Sequence, residues 1–242
     1  MPRQLHEKST VEEIRRRFDA DVEGFSKLET GQQAAMDAPI ILDVVARSAA
    51  CHIRPQGTLL DLGCGAGNFT LRVLSQVSPL DCTLVDLSQP MLERAQHRVK
   101  AATTGSVQTI QSDMRLLSFR PASFDVILAG QVLHHLREDE QWETMFARFH
   151  EWLRPAGTLF VADFVAYNEP GIQELMLKRY AEYLENLGGT EYRDKVLANC
   201  EVEDSPRSVK YQFDLLAKVG FNEFDVLHKN ALFAAFYAKK PS

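Results

Sequence analysis

Short apolar runs alternate with helix-length amphipathic segments through the middle of the chain. The first run, 58–62, stops at a cluster of glycines, as expected of a strand buried on both faces of a parallel sheet. Four more runs follow at intervals that leave room for helices, and helical patterns occupy 89–101 and 139–153 between them. The four runs are 82–85, 107–111, 124–128 and 158–162. This alternation predicts an α/β fold with helices on both faces of the sheet.

The first fifty residues have a helical pattern of their own. Thr10 and Glu13 stand at the spacing of a capping box, which predicts a helix that begins there and runs towards Phe25. A second helix is expected up to about residue 50. The charge-rich run 12–21 is interpreted as a solvated helical face.

The alternation also breaks after the fifth strand. Residues 168–186 and 191–218 have helical patterns with no strand between them, and Gly220 marks a helix end. The runs 224–227 and 232–238 then predict a closing antiparallel hairpin at the sheet edge.

A chain of 242 residues accommodates all of these elements in one domain. We expect an N-terminal helical cover (1–50), a ligand-binding core (51–164), a helical insertion (165–205), and a closing helix with the edge hairpin (206–242). The predicted fold is a Rossmann-like, doubly wound, seven-stranded, mostly parallel sheet with one antiparallel edge strand and a helical lid. In such sheets ligands bind at the carboxyl ends of the strands.

The amino-acid composition of the chain argues against several classes of function. The chain has 27 Lys and Arg against 33 Asp and Glu, a net charge of -6, which argues against a broad basic surface for nucleic acid. No apolar run approaches the roughly 18 residues of a membrane helix. The polar start, 1–8, shows no secretory signal, so a cytoplasmic protein is expected. The four cysteines lack CxxC or metal-ligand spacing, so free thiols and no metal are expected.

The strongest local signal follows the first predicted strand, where Asp61 precedes Gly63, Gly65 and Gly67. Alternate glycines let the chain turn sharply out of a strand while its backbone stays close to a ligand. Asn68 stands where the dinucleotide fingerprint GxGxxG requires its third glycine. The tighter GxGxG spacing after an acid resembles motif I of the class I S-adenosylmethionine-dependent methyltransferases.

Four further elements follow in that family's order and extend the resemblance over about 57–163. They are Asp86 after the second strand, Asp113-Met114 after the third, Ala129-Gly130 after the fourth, and the turn 153–157 into the fifth. The resemblance implies S-adenosyl-L-methionine as cofactor and S-adenosyl-L-homocysteine as product. It implies that Asp61 and the glycine loop hold the methionine part, Asp86 the ribose, and Asp113 with Met114 the adenine. The residues expected to bind the cofactor are Gln32, Asp61, Gly63, Cys64, Gly65, Gly67, Asn68, Asp86, Leu87, Met91, Asp113, Met114, Ala129 and Gly130.

The C-terminal part, 208–221, and the helical insertion before it resemble carboxy-S-adenosylmethionine synthase. In that family an arginine pairs with the extra carboxylate of the carboxylated cofactor, and Leu215 stands at this position in an ungapped comparison. A buried carboxylate without a cation is costly, which favours plain S-adenosylmethionine. Lys210 is a candidate substitute, so a synthase of this kind, serving tRNA wobble-uridine modification, stays an alternative.

His134, His135 and Asp163 are the candidate catalytic residues. A histidine can accept a proton near neutral pH, whereas transfer to an amine or thiol can proceed by positioning alone. We expect methyl transfer to an acceptor, a small molecule rather than a nucleic acid, with no membrane partner. Two more function classes are compatible with a glycine-rich turn: a nicotinamide-dependent oxidoreductase, which the missing third glycine disfavours, and a non-catalytic cofactor-binding subunit. The sequence leaves the oligomeric state open, a homodimer included.

Overall fold

The computed structural model describes residues 7–27 and 32–242. Most of the polar start on which the absence of a secretory signal was argued therefore lies outside the described residues, as does part of the segment that joins the first helices. Within the described part of the chain, no helix combines the length and hydropathy needed to cross a bilayer.

Seven strands form one sheet in the order β3-β2-β1-β4-β5-β7-β6. They are β1 (Thr58–Leu62), β2 (Asp81–Asp86), β3 (Val107–Gln111), β4 (Phe124–Gly130), β5 (Leu153–Phe164), β6 (Glu223–Asn230) and β7 (Phe233–Lys239). The first five strands pair in parallel, and β7 runs antiparallel to both β5 and β6. The predicted seven-stranded, mostly parallel sheet is confirmed, with the reversed strand lying one position in from the edge.

Eight α-helices surround the sheet in the described chain. They are α1 (Val11–Asp19), α2 (Val22–Phe25), α3 (Ala38–Ala50), α4 (Asn68–Leu74), α5 (Gln89–Ala102), α6 (Asp139–Trp152), α7 (Pro170–Glu203) and α8 (Val209–Val219). Thr10 and Glu13 form the predicted capping box, and Gly220 ends α8 in the left-handed conformation. The helix predicted towards Phe25 is interrupted after Asp19, because Asp21 caps the separate short helix α2.

The predicted division between the helices 168–186 and 191–218 corresponds to a kink at Gly189, whose φ of 81° and ψ of 177° are not helical. The second predicted helix is wrong in running on to 218, because α7 ends at Glu203 and α8 begins at Val209. Pro206 disfavours helical geometry in the residue before it, so the chain leaves the helix there, and Ser208 caps α8. The end of α7 thereby lies over the carboxyl ends of the parallel strands.

Two apolar clusters hold the layers together, one on each face of the sheet. α3, α4 and α5 pack on one face, and α6 and α8 pack on the other. Trp142, Phe146, Phe149 and Trp152 are fully buried along α6. Such burial stabilises the two faces of the sheet. Helices α1 and α7 lie over the carboxyl edge of the sheet, which is the open part of the fold.

Candidate active site

The glycine loop joins β1 to α4 at the carboxyl edge. Gly63, Gly65 and Gly67 all have positive φ (66°, 50° and 85°), which only glycine adopts without strain. The loop runs past Asp86 at the end of β2, and the Gly65 N–H donates to its Oδ2 at 2.8 Å. The Ser88 N–H donates to the other oxygen at 2.9 Å. Two backbone donors therefore orient this carboxylate, although burial raises its pKa.

A small cavity of about 50 Å³ lies beside Asp86, between the strand ends and α1. Five of the predicted cofactor residues line it: Gly63, Asp86, Leu87, Asp113 and Met114. Its other lining residues are Val11, Ile14, Val85, Ser112, Arg115, Val132, His135 and Arg137. Carboxylates at one end and apolar side chains around them match the needs of a ribose joined to a flat aromatic base.

Asp113 does not stand free in this cavity. Arg115 donates to both of its carboxylate oxygens, at 2.9 Å from Nε and 2.5 Å from Nη2. Burial alone would raise the pKa of Asp113, but the hydrogen bonds and charge of Arg115 outweigh it and the pKa is lowered. Asp113 is therefore a fixed anion that can accept from an exocyclic amine. The sequence analysis missed Arg115, which is two residues from a candidate acid and has the right charge to hold it.

A larger cleft of about 630 Å³ adjoins the small cavity. Aromatic side chains supply much of its wall: Phe18, Phe25, Phe164, Tyr180, Tyr192 and Phe233. Gln32, predicted to contact the cofactor, lines this cleft as well. Tyr180 is 2% exposed, so it belongs both to the core and to the cleft wall. The volume falls in the range of roughly 300–1,000 Å³ that small-molecule sites occupy.

His134 is held rigidly at one end of the cleft. Its backbone N–H donates to Asp163 Oδ2 at 2.9 Å, and its Nδ1 lies 2.5 Å from Asp163 Oδ1. Burial alone would lower the pKa of His134, but the charges of Asp163 and Asp204 outweigh that effect and raise the pKa to about 9. His134 is therefore a cation at neutral pH, and a cation cannot accept a proton.

His135 has the opposite surroundings. Burial lowers its pKa well below the usual value, and the positive charges of His134 and Arg17 lower it further. Both ring nitrogens are buried and have no well-aligned hydrogen bond among residues 7–27 and 32–242, although the ring faces the backbone of Glu203. Within the same residues, His135 is the one side chain that lines both the small cavity and the cleft. The adjacent histidines are thus divided into a charged, anchored ring and a neutral ring with free lone-pair capacity.

Asp204, just past the end of α7, is a site residue that the sequence analysis missed. Its Oδ1 lies 3.4 Å from His135 Nδ1 and 3.7 Å from His134 Nε2, and its side chain is 10% exposed. His134, His135 and Asp204 could each offer a ligand atom to a metal, since these atoms lie within 4.8 Å of one another. The charge on His134 and its bond to Asp163 account for the approach of Asp204 without an ion, so the expected absence of a metal stays a prediction.

Several predicted cofactor residues line neither cavity. Asp61 is 1% exposed and accepts from the Thr70 hydroxyl at 2.6 Å, and burial raises its pKa to about 6. Asn68 donates to the Phe25 carbonyl at 2.9 Å. The others that lie outside both cavities are Cys64, Gly65, Gly67, Met91, Ala129 and Gly130. Their contacts with a ligand stay predictions, and for Cys64 the raised pKa agrees with a role other than thiol chemistry.

The two positions compared with carboxy-S-adenosylmethionine synthase lie away from the site. Leu215 is 5% exposed in the apolar cluster beneath α6 and α8. Lys210 is exposed on α8 and pairs with Asp214 at 2.6 Å. Neither side chain lines the small cavity or the cleft.

Comparison with known proteins agrees with this architecture. Residues 59–157 match the methyltransferase domain family. The carboxy-S-adenosyl-L-methionine synthase of Vibrio atlanticus is 25% identical over 207 residues, which cover 83% of each chain. Human N-acetylserotonin methyltransferase in complex with S-adenosylmethionine superposes with a TM-score of 0.60 at 15% identity, over 94% of this chain and 57% of that one. An O-methyltransferase family protein from Burkholderia thailandensis superposes with a TM-score of 0.64 at 16% identity, over 94% and 60%.

The ordered strand ends, the glycine loop and these matches define the class. Residues 59–157 match a methyltransferase domain, and the matches support an S-adenosylmethionine-dependent methyltransferase with S-adenosylmethionine as its cofactor. The predicted class and cofactor are confirmed.

Proposed function

We propose that the small cavity receives the adenosine part of S-adenosylmethionine and that the aromatic cleft receives a small-molecule methyl acceptor. The observation that carries this proposal is the position of His135 at the junction of the two cavities. The reacting centre then lies beside His135, with Asp86 against the ribose and Asp113 against the adenine.

The residues present fit the cofactor. Asp86 is oriented by two backbone N–H groups with its remaining acceptor capacity directed to the cavity, and Met114 and Ile14 provide apolar contacts for a base. The cavity of about 50 Å³ is too small for adenosine as it stands, so the proposal requires its lining to open when the cofactor binds.

The bound cofactor supplies a methyl group on a sulfonium, which is already a good leaving group. The protein therefore has to align the acceptor, exclude water and manage one proton. The aromatic wall of the cleft aligns an apolar or aromatic body, and His135, kept neutral by burial, can accept the proton of a hydroxyl or amine. Asp163 acts indirectly, since it anchors His134 and sets the charge at this end of the cleft.

The experiment that tests the cofactor placement is calorimetry with S-adenosylhomocysteine on wild type and Asp86→Ala. Loss of charge-assisted hydrogen bonds to two ribose hydroxyls should weaken binding by about 1.5–3 kcal/mol, on the order of 10- to 100-fold. Asp81→Ala is a matched control, because Asp81 begins the same strand at the opposite edge of the sheet and accepts from the Ser106 N–H. Equal affinities for wild type and Asp86→Ala would contradict the placement. Methyl transfer to a panel of small phenols and amines, followed by mass spectrometry, then tests the acceptor class.

A second candidate function comes from the relatives named carboxy-S-adenosyl-L-methionine synthase. A carboxylated cofactor needs a cation near its extra carboxylate, and Arg17, which lines the cleft, is engaged by Glu203 at 2.5 Å. Lys27, Lys195 and the charged His134, which is held by Asp163, are the other cationic side chains that line the cleft. Mass spectrometry of the ligand that co-purifies with the protein separates the two functions, because the carboxylated cofactor is heavier. Its presence would make the synthase the leading account.

A further inference from the structure

The chain just after α7 is docked onto the turn that carries the two histidines. The Ser205 N–H donates to the His134 carbonyl at 2.7 Å, and the Asp204 N–H closes the helix on the Cys200 carbonyl at 3.0 Å. On the other side, the Ser9 N–H donates to the Val202 carbonyl at 2.8 Å, and Lys8 donates to the Asp204 carbonyl. The backbone of Asp204 is therefore fixed on both sides, and its carboxylate has a defined direction into the cleft.

The Asp204 carboxylate lies beside two imidazoles that differ in their hydrogen-bond partners. His134 contacts Asp163 through both its backbone N–H and its Nδ1. Both ring nitrogens of His135 are buried without a well-aligned hydrogen bond among residues 7–27 and 32–242, and the ring also faces the backbone of Glu203. The Nδ1 of His135 lies 3.4 Å from Asp204 Oδ1. A separation of 3.4 Å with imperfect alignment is common for catalytic contacts before substrate binds.

We propose that Asp204 is a positioning residue that keeps the proton of His135 on Nδ1 and leaves the lone pair of Nε2 for the acceptor. This inference rests on the proposed function, and it identifies the group that prepares His135 for proton transfer. When one ring nitrogen of a histidine donates a hydrogen bond, the proton stays on that nitrogen and the other nitrogen can act as the base.

The acceptor's O–H or N–H bond breaks and its proton goes to His135 Nε2. The acceptor heteroatom forms a bond to the methyl carbon, the carbon–sulfur bond breaks, and its electron pair stays on sulfur as a thioether. Asp204 stabilises the imidazolium that forms, and the proton later passes to water. No oxidant or further reactant is needed.

The proposal selects acceptors that carry a dissociable proton on the nucleophile. A thioether or a tertiary amine has none and would gain nothing from Asp204. A ring that carries a hydroxyl or a primary amine meets both requirements, since the ring can pack in the aromatic cleft and the substituent has a proton to give to His135.

The test is the tautomer of His135, measured by nitrogen-15 NMR on histidine-labelled protein with S-adenosylhomocysteine bound. The chain has seven histidines, and a His135→Gln spectrum assigns the signal. We expect wild type to carry the proton on Nδ1 and Asp204→Ala to move it to Nε2. Glu201→Ala, an exposed carboxylate in the last turn of the same helix, is the control and should leave the tautomer unchanged.

Wild-type His135 protonated on Nε2 would overturn the proposal, and so would an unchanged tautomer in Asp204→Ala. The wild-type spectrum decides by itself if Asp204→Ala fails to fold. Failure of S-adenosylhomocysteine to bind wild type would instead remove the proposed function, so the two failures are distinguishable.

Discussion

The glycine loop offers a matched pair of substitutions. Gly63 and Gly65 both have left-handed backbone, so alanine at either position costs ~1–2 kcal/mol from backbone strain alone. Their surroundings differ. A Cβ at Gly63 would lie 2.5 Å from Val132 Cγ2 and 2.6 Å from Val132 Cβ, whereas a Cβ at Gly65 would have nothing within 4 Å.

The overlap in Gly63→Ala adds about 1–3 kcal/mol, the usual cost of overpacking. We therefore expect the free energy of unfolding to fall by about 2–5 kcal/mol in Gly63→Ala and by about 1–2 kcal/mol in Gly65→Ala. Urea denaturation of both variants beside wild type measures this difference. Val132 also lines the small cavity, so Gly63→Ala should weaken S-adenosylhomocysteine binding as well. Equal destabilisation by the two substitutions would refute the steric argument.

Three further predictions concern buried groups. Burial raises the pKa of Asp61 to about 6, above its value in the unfolded chain, so stability is lost as pH rises from about 4 to 6. Asp61→Asn should therefore gain about 3 kcal/mol relative to wild type between pH 4 and pH 7, and a constant difference in denaturation experiments would count against this. Because the pKa of His134 is raised to about 9, its stabilising contribution is present below pH 6.5 and is lost as pH rises through 9. The destabilisation caused by His134→Asn should accordingly shrink by about 3 kcal/mol from pH 6 to pH 10, and a pH-independent cost would disprove the charged state. Leu215→Arg should lower the melting temperature sharply, because an unpaired guanidinium in the core costs several kcal/mol, whereas Leu215→Met should cost less than about 1.5 kcal/mol. A stable Leu215→Arg that binds the carboxylated cofactor would show that our placement of this position is wrong.

The sequence predicts best the strands whose bounds depend on residues close to them in the chain. The bounds of β1 and β3 agree with the predicted strands, since each is a short segment rich in β-branched or apolar residues that lies between turn signals. β5 is assigned from Leu153, well before the predicted start at 158, but only Leu153 pairs with β4 before Thr158. Ala156 has a positive φ of 62°, so the turn that Pro155 and Gly157 indicate is present as an irregularity within the strand.

The sequence predicts that several of the expected cofactor residues lie together at one edge of the sheet, but it does not predict the lining of the larger cleft. Asp86, Asp113 and Met114 each follow a strand, and parallel strands bring such residues to one edge. Asp204 comes about seventy residues after His134 and, two residues before Pro206, has the local pattern of a helix end. Its position beside the two histidines depends on the packing of α7 over the sheet, which is a feature of the tertiary structure. The division between His134 and His135 likewise depends on Asp163, which reaches one ring and not the other.

The charge-rich face of α1 is only partly exposed to solvent, which the sequence of this helix alone does not indicate. The run 12–21 was interpreted as solvated, and Arg16 is indeed exposed. Arg17, however, lines the cleft and pairs with the buried Glu203, while Ile14, one turn earlier, lines the small cavity. Since residues three apart on a helix share a face, a single helix forms a wall of both cavities. The Arg17–Glu203 pair therefore joins α1 to the segment next to Asp204, so the same helix contacts the structures around both cavities.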